Sequence, residues 1–149
     1  VNMAYFLQAI IGEKEHLLRV CPAGMRVVPL PLDPRLALIP LPDELMDAAG
    51  WPVSSDLTPE ENPLIRPRVE AFLVQASQEG LIGYVQAEYW GGAGEQFAFG
   101  WQGGVLVYPS SDQQDVNGLL KVLGVRRGTN DEWDTIGLGR HRHTEDWLK

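Results

Sequence analysis

Three runs rich in aromatic and β-branched residues, separated by glycines, mark the middle of the chain. Over residues 82–90, Val85, Ala87 and Tyr89 fall on one parity and Tyr84, Gln86, Glu88 and Trp90 on the other. A strand there turns the two sets to opposite faces. Residues 94–101 repeat the pattern with Phe97, Phe99 and Trp101 on one parity, and 105–108 form a third apolar run. Gly91-Gly92-Ala93-Gly94 and Gln102-Gly103-Gly104 separate the runs. Glycine-rich breaks of this length between β-prone segments predict a three-stranded meander.

Upstream, residues 4–11 are aromatic and β-branched up to Gly12 and predict another strand. Residues 13–20 predict a short helix that Cys21-Pro22 ends. The apolar pieces 25–30 and 36–39 flank Pro31-Leu32-Asp33-Pro34, a proline spacing that suits two short strands about a turn. Residues 43–49 read as a small helix with an acidic first turn and a Gly50 stop, and 51–62 as a loop. Val69, Phe72, Leu73 and Ala76 repeat at helical spacing, which predicts a helix over 63–79. A shorter one is expected over 115–123, ending at Gly124. These elements add up to an α+β fold: a mostly antiparallel sheet of five or six strands, with a β-meander in the C-terminal half and helices packed on one face.

At 149 residues, with 44% apolar and 21% charged residues, the chain suits one globular domain spanning 1–149. Val1-Asn2 ahead of Met3 read as vector-derived. The net charge of -8 argues against a nucleic-acid partner and against attraction to anionic lipid. The most apolar stretch, 27–41, holds four prolines, Asp33 and Arg35 and cannot span a membrane as a helix. A lone Cys21 points to a reducing, cytoplasmic setting. The charge is also segregated: residues 43–62 carry six acids and no Lys or Arg, and 69–120 carry six more without a base.

Candidate chemistry is sparse. Glu88 and Glu95 flank the 91–94 turn and can oppose each other as a carboxylate pair, the arrangement that raises one pKa for acid-base work. Tyr89, Trp90, Phe97, Phe99 and Trp101 exceed what one buried face of a meander holds, so part of the set is expected to form a partner-binding patch. His141 and His143 stand two apart, with Asp134, Glu145 and Asp146 nearby, but lack the third nitrogen or sulfur ligand of a dependable zinc site. No metal and no cofactor is assigned. The tail 137–147 has two apolar anchors, Leu138 and Trp147, and is expected to dock beside the 91–94 turn, where Arg140 would pair with Glu88 or Glu95.

Two stretches, Tyr84-Val-Gln-Ala-Glu-Tyr-Trp-Gly-Gly-Ala-Gly-Glu-Gln-Phe-Ala98 and Gly137-Leu-Gly-Arg-His-Arg-His-Thr-Glu-Asp-Trp147, resemble segments of a family of small actinobacterial proteins with no assigned activity. In size and acidity the chain is also similar to bacterial immunity proteins that neutralise toxins. The expectation is a non-enzymatic cytoplasmic domain that binds a basic protein partner, as an immunity-type inhibitor does, through Glu88, Trp90, Glu95, Arg140, His141 and His143. The alternative is a hydrolase-like or metal-assisted enzyme whose site lies between the Glu88/Glu95 hairpin and the Arg140–His143 tail.

Overall fold

A computed structural model describes residues 5–52, 65–90, 93–109, 115–126 and 131–149. The expected loop over 51–62 falls largely outside the described residues. The centre of the fold is an antiparallel sheet in the order β2-β3-β1-β4-β5-β6, formed by Tyr5–Glu13 (β1), Val28–Pro29 (β2), Leu36–Pro40 (β3), Ile82–Trp90 (β4), Ala93–Gln102 (β5) and Val105–Tyr108 (β6). The α+β class, the six strands and the β4-β5-β6 meander are as the alternation predicts. No described helix is long and apolar enough to cross a membrane.

Helices cover both faces of this sheet, not one. One face carries Ile10, Ile39, Ile82, Tyr84, Phe99 and Trp101, packed against Lys14–Val20 (α1), Asp43–Ala48 (α2) and Pro67–Ala76 (α3) through Leu17, Met46, Val69 and Leu73. The other carries Leu7, Ala9, Ile11, Val85 and Ala98 beneath Val116–Val122 (α4) and the C-terminal tail. Alternation explains the outcome: β1 and β4 are apolar on both parities, and water can be excluded from both only by a layer on each side. The helix expected over 63–79 begins at Pro67, which occupies the first helical turn where its missing N–H costs nothing, and closes in a 3-10 turn at Ser77–Glu79.

Glycine has a specific task under α4. Gly83 and Gly100 are direct partners across β4 and β5. A Cβ on Gly83 would stand 2.7 Å from Leu119 Cδ2, and one on Gly100 would stand 2.9 Å from Leu119 Cδ1. The two bare positions form the seat for Leu119, which is fully buried. The start of α4 is fixed by Asp115, whose carboxylate accepts the Gly118 N–H at 2.9 Å.

The tail docks, but elsewhere than expected. Pro40 is the last residue of β3 paired with β1, and its partner is Ala9; the Leu41 N–H still donates to the Gln8 carbonyl at 2.9 Å, beyond which the segment leaves the Tyr5–Leu7 end of β1 unpaired on that side. The tail takes the vacated edge. The Phe6 N–H donates to the Arg142 carbonyl, Phe6 and His143 form a parallel bridge, and the Gln8 N–H donates to Thr144 Oγ1 at 3.1 Å. The chain then closes in a 3-10 turn, Thr144–Leu148, and buries Trp147, 4% exposed, with Leu138 in the cluster around Leu7, Leu36 and Leu38.

Candidate functional site

The β4–β5 hairpin end is where the sequence concentrates its unusual residues, and each face of it presents different chemistry. Glu88 and Glu95 are direct cross-strand partners, as expected, and share their face with Phe6, the β1 partner of Glu88. One row inward lie Gln8, Gln86 and Phe97. Gln8 is buried and donates through Nε2 to Asp43 Oδ1 at 2.9 Å, which ties the acidic first turn of α2 to the same end of the sheet. Arg66 is the cation met there: Nη2 lies 2.9 Å from Asp43 and Nη1 lies 2.8 Å from Asp47. Phe6, Gln86, Glu88 and Phe97 are half-buried and Glu95 is exposed. Opposed like charges cost stability in a strand pair. Here they leave an acid-rich surface with two partly exposed phenylalanines in it.

Of the tail residues His143 borders that surface as the bridge partner of Phe6, and Arg140 does not pair with its glutamates. Arg140 is exposed and forms no ion pair with Glu88 or Glu95, so the predicted cluster of Arg140 with the hairpin glutamates is not assembled. The cause is the edge vacated by β3, which draws the tail to the far side of β1. The bridge to Phe6 sets the backbone of His143 two strand spacings, roughly 10 Å, from that of Glu88. His141 instead packs edge-on against Trp147, with ring centroids 4.8 Å apart. Both imidazoles act on Asp146, whose carboxyl is held below its ordinary range first by a hydrogen bond from Lys149 and further by the charges of Lys149, His143 and His141. Among the described residues no three His, Cys, Asp or Glu side chains converge as a metal site. The side chains of Trp90 and Asp134 lie outside the described residues.

The opposite face of the same hairpin forms a cleft of about 340 Å3 lined by Tyr5, Tyr89, Gln96, Asn117, Asp131 and Trp133. Tyr5 and Tyr89 are β1–β4 partners, with ring centroids 6.4 Å apart and planes inclined at 54°. Trp133, from the short helix Glu132–Thr135 (α5), stands 5.3 Å from Tyr5 at 55°. The polar side chains hold one another. Gln96 donates to the Tyr89 hydroxyl and accepts the Val116 N–H at 2.8 Å. Asn117 accepts the Trp133 N–H at 2.8 Å and donates to Asp131 Oδ2 at 3.2 Å. Tyr5 donates to the Leu138 carbonyl at 2.9 Å. Burial raises the phenol pKa of Tyr5, with Tyr89 adding to the shift. Burial also raises that of Tyr89, opposed by the Gln96 hydrogen bond and reinforced by the negative charge of Asp115.

A larger depression, about 570 Å3, lies at the other end of β1 between Glu13, Asp33 and Leu123. Two of its charged residues hold each other: Arg35 reaches both oxygens of Asp33 at 3.0 Å and holds that carboxyl below its ordinary range.

Alternation placed Tyr89 on the face opposite Glu88, but Asn117, Asp131 and Trp133 had no signal of their own, because they reach the hairpin only when α4 and α5 fold over it. Comparison with family models, curated proteins and solved structures gives no match to the chain. The arrangement of residues is therefore the basis for any functional reading.

Proposed function

We propose that the protein is a non-enzymatic binding domain that captures a basic protein partner, in the manner of an immunity-type inhibitor, and that the Glu88/Glu95 end of the sheet is its docking surface. The observation that carries the reading is the juxtaposition of Glu88, Glu95 and Asp43 with the half-buried Phe6 and Phe97 on one face. Aromatic side chains supply contact area for a partner, and the carboxylates around them select and steer a cationic one. The net charge of -8 extends that field to the whole molecule. Catalysis gains no comparable support, since the histidines and Arg140 stand apart from the two glutamates.

The test is crosslinking capture by the tagged chain, run in parallel with the E88K/E95K double variant. A basic protein recovered by the parent and lost by the folded variant is the expected result. Equal recovery of every partner by parent and variant would overturn the reading.

A further inference from the structure

On the face away from those glutamates, we propose that the Tyr5–Tyr89–Trp133 cleft is a binding site for a compact organic cation, an alkylammonium group such as a quaternary or methylated amine. The inference stands on observations separate from the protein-docking surface and does not depend on it. Three rings line it, Tyr5 being tilted by 54° against Tyr89 and by 55° against Trp133, so they do not form one flat platform on which a sugar ring or a nucleobase stacks. Tilted electron-rich faces within about 6 Å of a common point attract a positive charge from several sides.

The polar chemistry leads to the same class. A sugar or a base is recognised through amide and carbonyl groups that it can bond. In this cleft the Gln96 and Asn117 carbonyl oxygens are already taken by the Val116 and Trp133 N–H groups, and one N–H of each amide is directed to Tyr89 or Asp131. A visiting ligand therefore meets no unengaged amide carbonyl, and beside the second N–H of each amide and the Tyr89 hydroxyl it meets ring faces and the carboxylate of Asp131. Asp131 is part of the wall, the charge of Asp115 reaches Tyr89, and no Lys or Arg is among the described residues that line the cleft. At about 340 Å3 the space suits a small head group and not an extended polymer. The hydrogen bonds that fix Gln96 and Asn117 also fix the walls, so the site is formed before a ligand arrives.

The experiment is a titration of the full chain with choline, followed by calorimetry and by NMR of the aromatic side chains. The neutral carbon isostere 3,3-dimethylbutan-1-ol and glucose serve as comparison ligands. Saturable choline binding is expected, with shifts confined to Tyr5, Tyr89 and Trp133, and with the isostere bound at least about tenfold more weakly. D131N, which keeps the shape of the wall and removes a charge, should weaken choline severalfold while leaving any isostere binding unchanged. Y89L should weaken it roughly tenfold in a protein whose far-UV spectrum matches the parent. Equal affinity for choline and the isostere would make the cleft an apolar pocket, and binding of glucose alone would make it a sugar site. Either result overturns the proposal, as does the absence of saturable choline binding in the millimolar range.

Discussion

Replacing Trp147 by alanine tests whether the tail is part of the core. The indole is 4% exposed and lies in the cluster with Leu7, Leu30, Leu36 and Leu38. Truncating a buried tryptophan to alanine costs about 3–5 kcal/mol. One feature of the parent reduces this: Nε1 of Trp147 is buried without a hydrogen-bond partner among the described residues. Such a group carries a desolvation penalty of about 1–3 kcal/mol, which the alanine variant no longer bears. Taking the middle of both ranges, a net loss of about 2 kcal/mol follows, and at about 2–4 °C per kcal/mol for a domain of this size the melting temperature should fall by about 4–8 °C. W147F separates the two contributions, because it keeps an aromatic ring and removes the N–H. Its melting temperature should stay within about 4 °C of the parent, a change of about 1 kcal/mol. Thermal melts followed by far-UV circular dichroism are the suitable assay, since they do not depend on the tryptophan signal being altered. A W147A variant that melts with the parent would refute the docking of the tail, and a W147F variant as damaged as W147A would refute the role given to the unpartnered N–H.

Two further predictions concern the packing around Tyr108 and the tyrosines. A Cβ on Gly118 would run into the Tyr108 hydroxyl and the Asp115 carboxylate, the group that caps α4. G118A should therefore lose about 1–3 kcal/mol in urea denaturation despite alanine's helix preference of about 1 kcal/mol, and a stabilised variant would contradict this. All four tyrosines of the chain have phenol pKa values raised chiefly by burial, that of Tyr108 to about 12. A phenol that holds its proton more tightly folded than unfolded contributes stability that is complete below the unfolded value of about 10 and is lost as pH rises through the folded value. Absorbance at 295 nm should thus show no ordinary tyrosinate step near pH 10 from Tyr5, Tyr84 or Tyr108 in the native protein, so that most of the ionisation arrives together with unfolding. Normal titration of all four with an unchanged far-UV spectrum would contradict the burial assigned to them.

Much of this fold is legible along the chain because period-2 alternation is a local property. It assigned Glu88 and Tyr89 to opposite faces and paired Glu88 with Glu95 before any tertiary contact was known. The glycines at 83 and 100 carry a weaker signal, since bare positions opposite each other in a hairpin announce a close approach without naming Leu119 as the visitor. The second helical layer was the first failure. It depends on β1 and β4 being apolar on both parities, a pattern visible in residues such as Ile10 and Ile11. Destination of the tail was the second. Leu138 and Trp147 announce that it docks, yet the place is decided by the shortness of β3, which frees one side of Phe6 and the N–H of Gln8. A length mismatch between strands remote in sequence appears only after they pair. The cleft residues Asn117, Asp131 and Trp133 escape for the same reason: their chemistry is ordinary, and only their convergence on Tyr5 and Tyr89 sets them apart.

The central claim, that a basic protein docks on the acidic face of the hairpin, is tested most directly by association kinetics. With the partner recovered by crosslinking, the association rate constant of the parent and of E88K/E95K is measured in stopped flow at low and at high ionic strength. Electrostatic steering predicts that the parent rate falls by at least about tenfold as salt screens the surface, and that the charge-reversed chain is slow at low salt and nearly insensitive to it. Equal rate constants for parent and variant at low salt would contradict the claim.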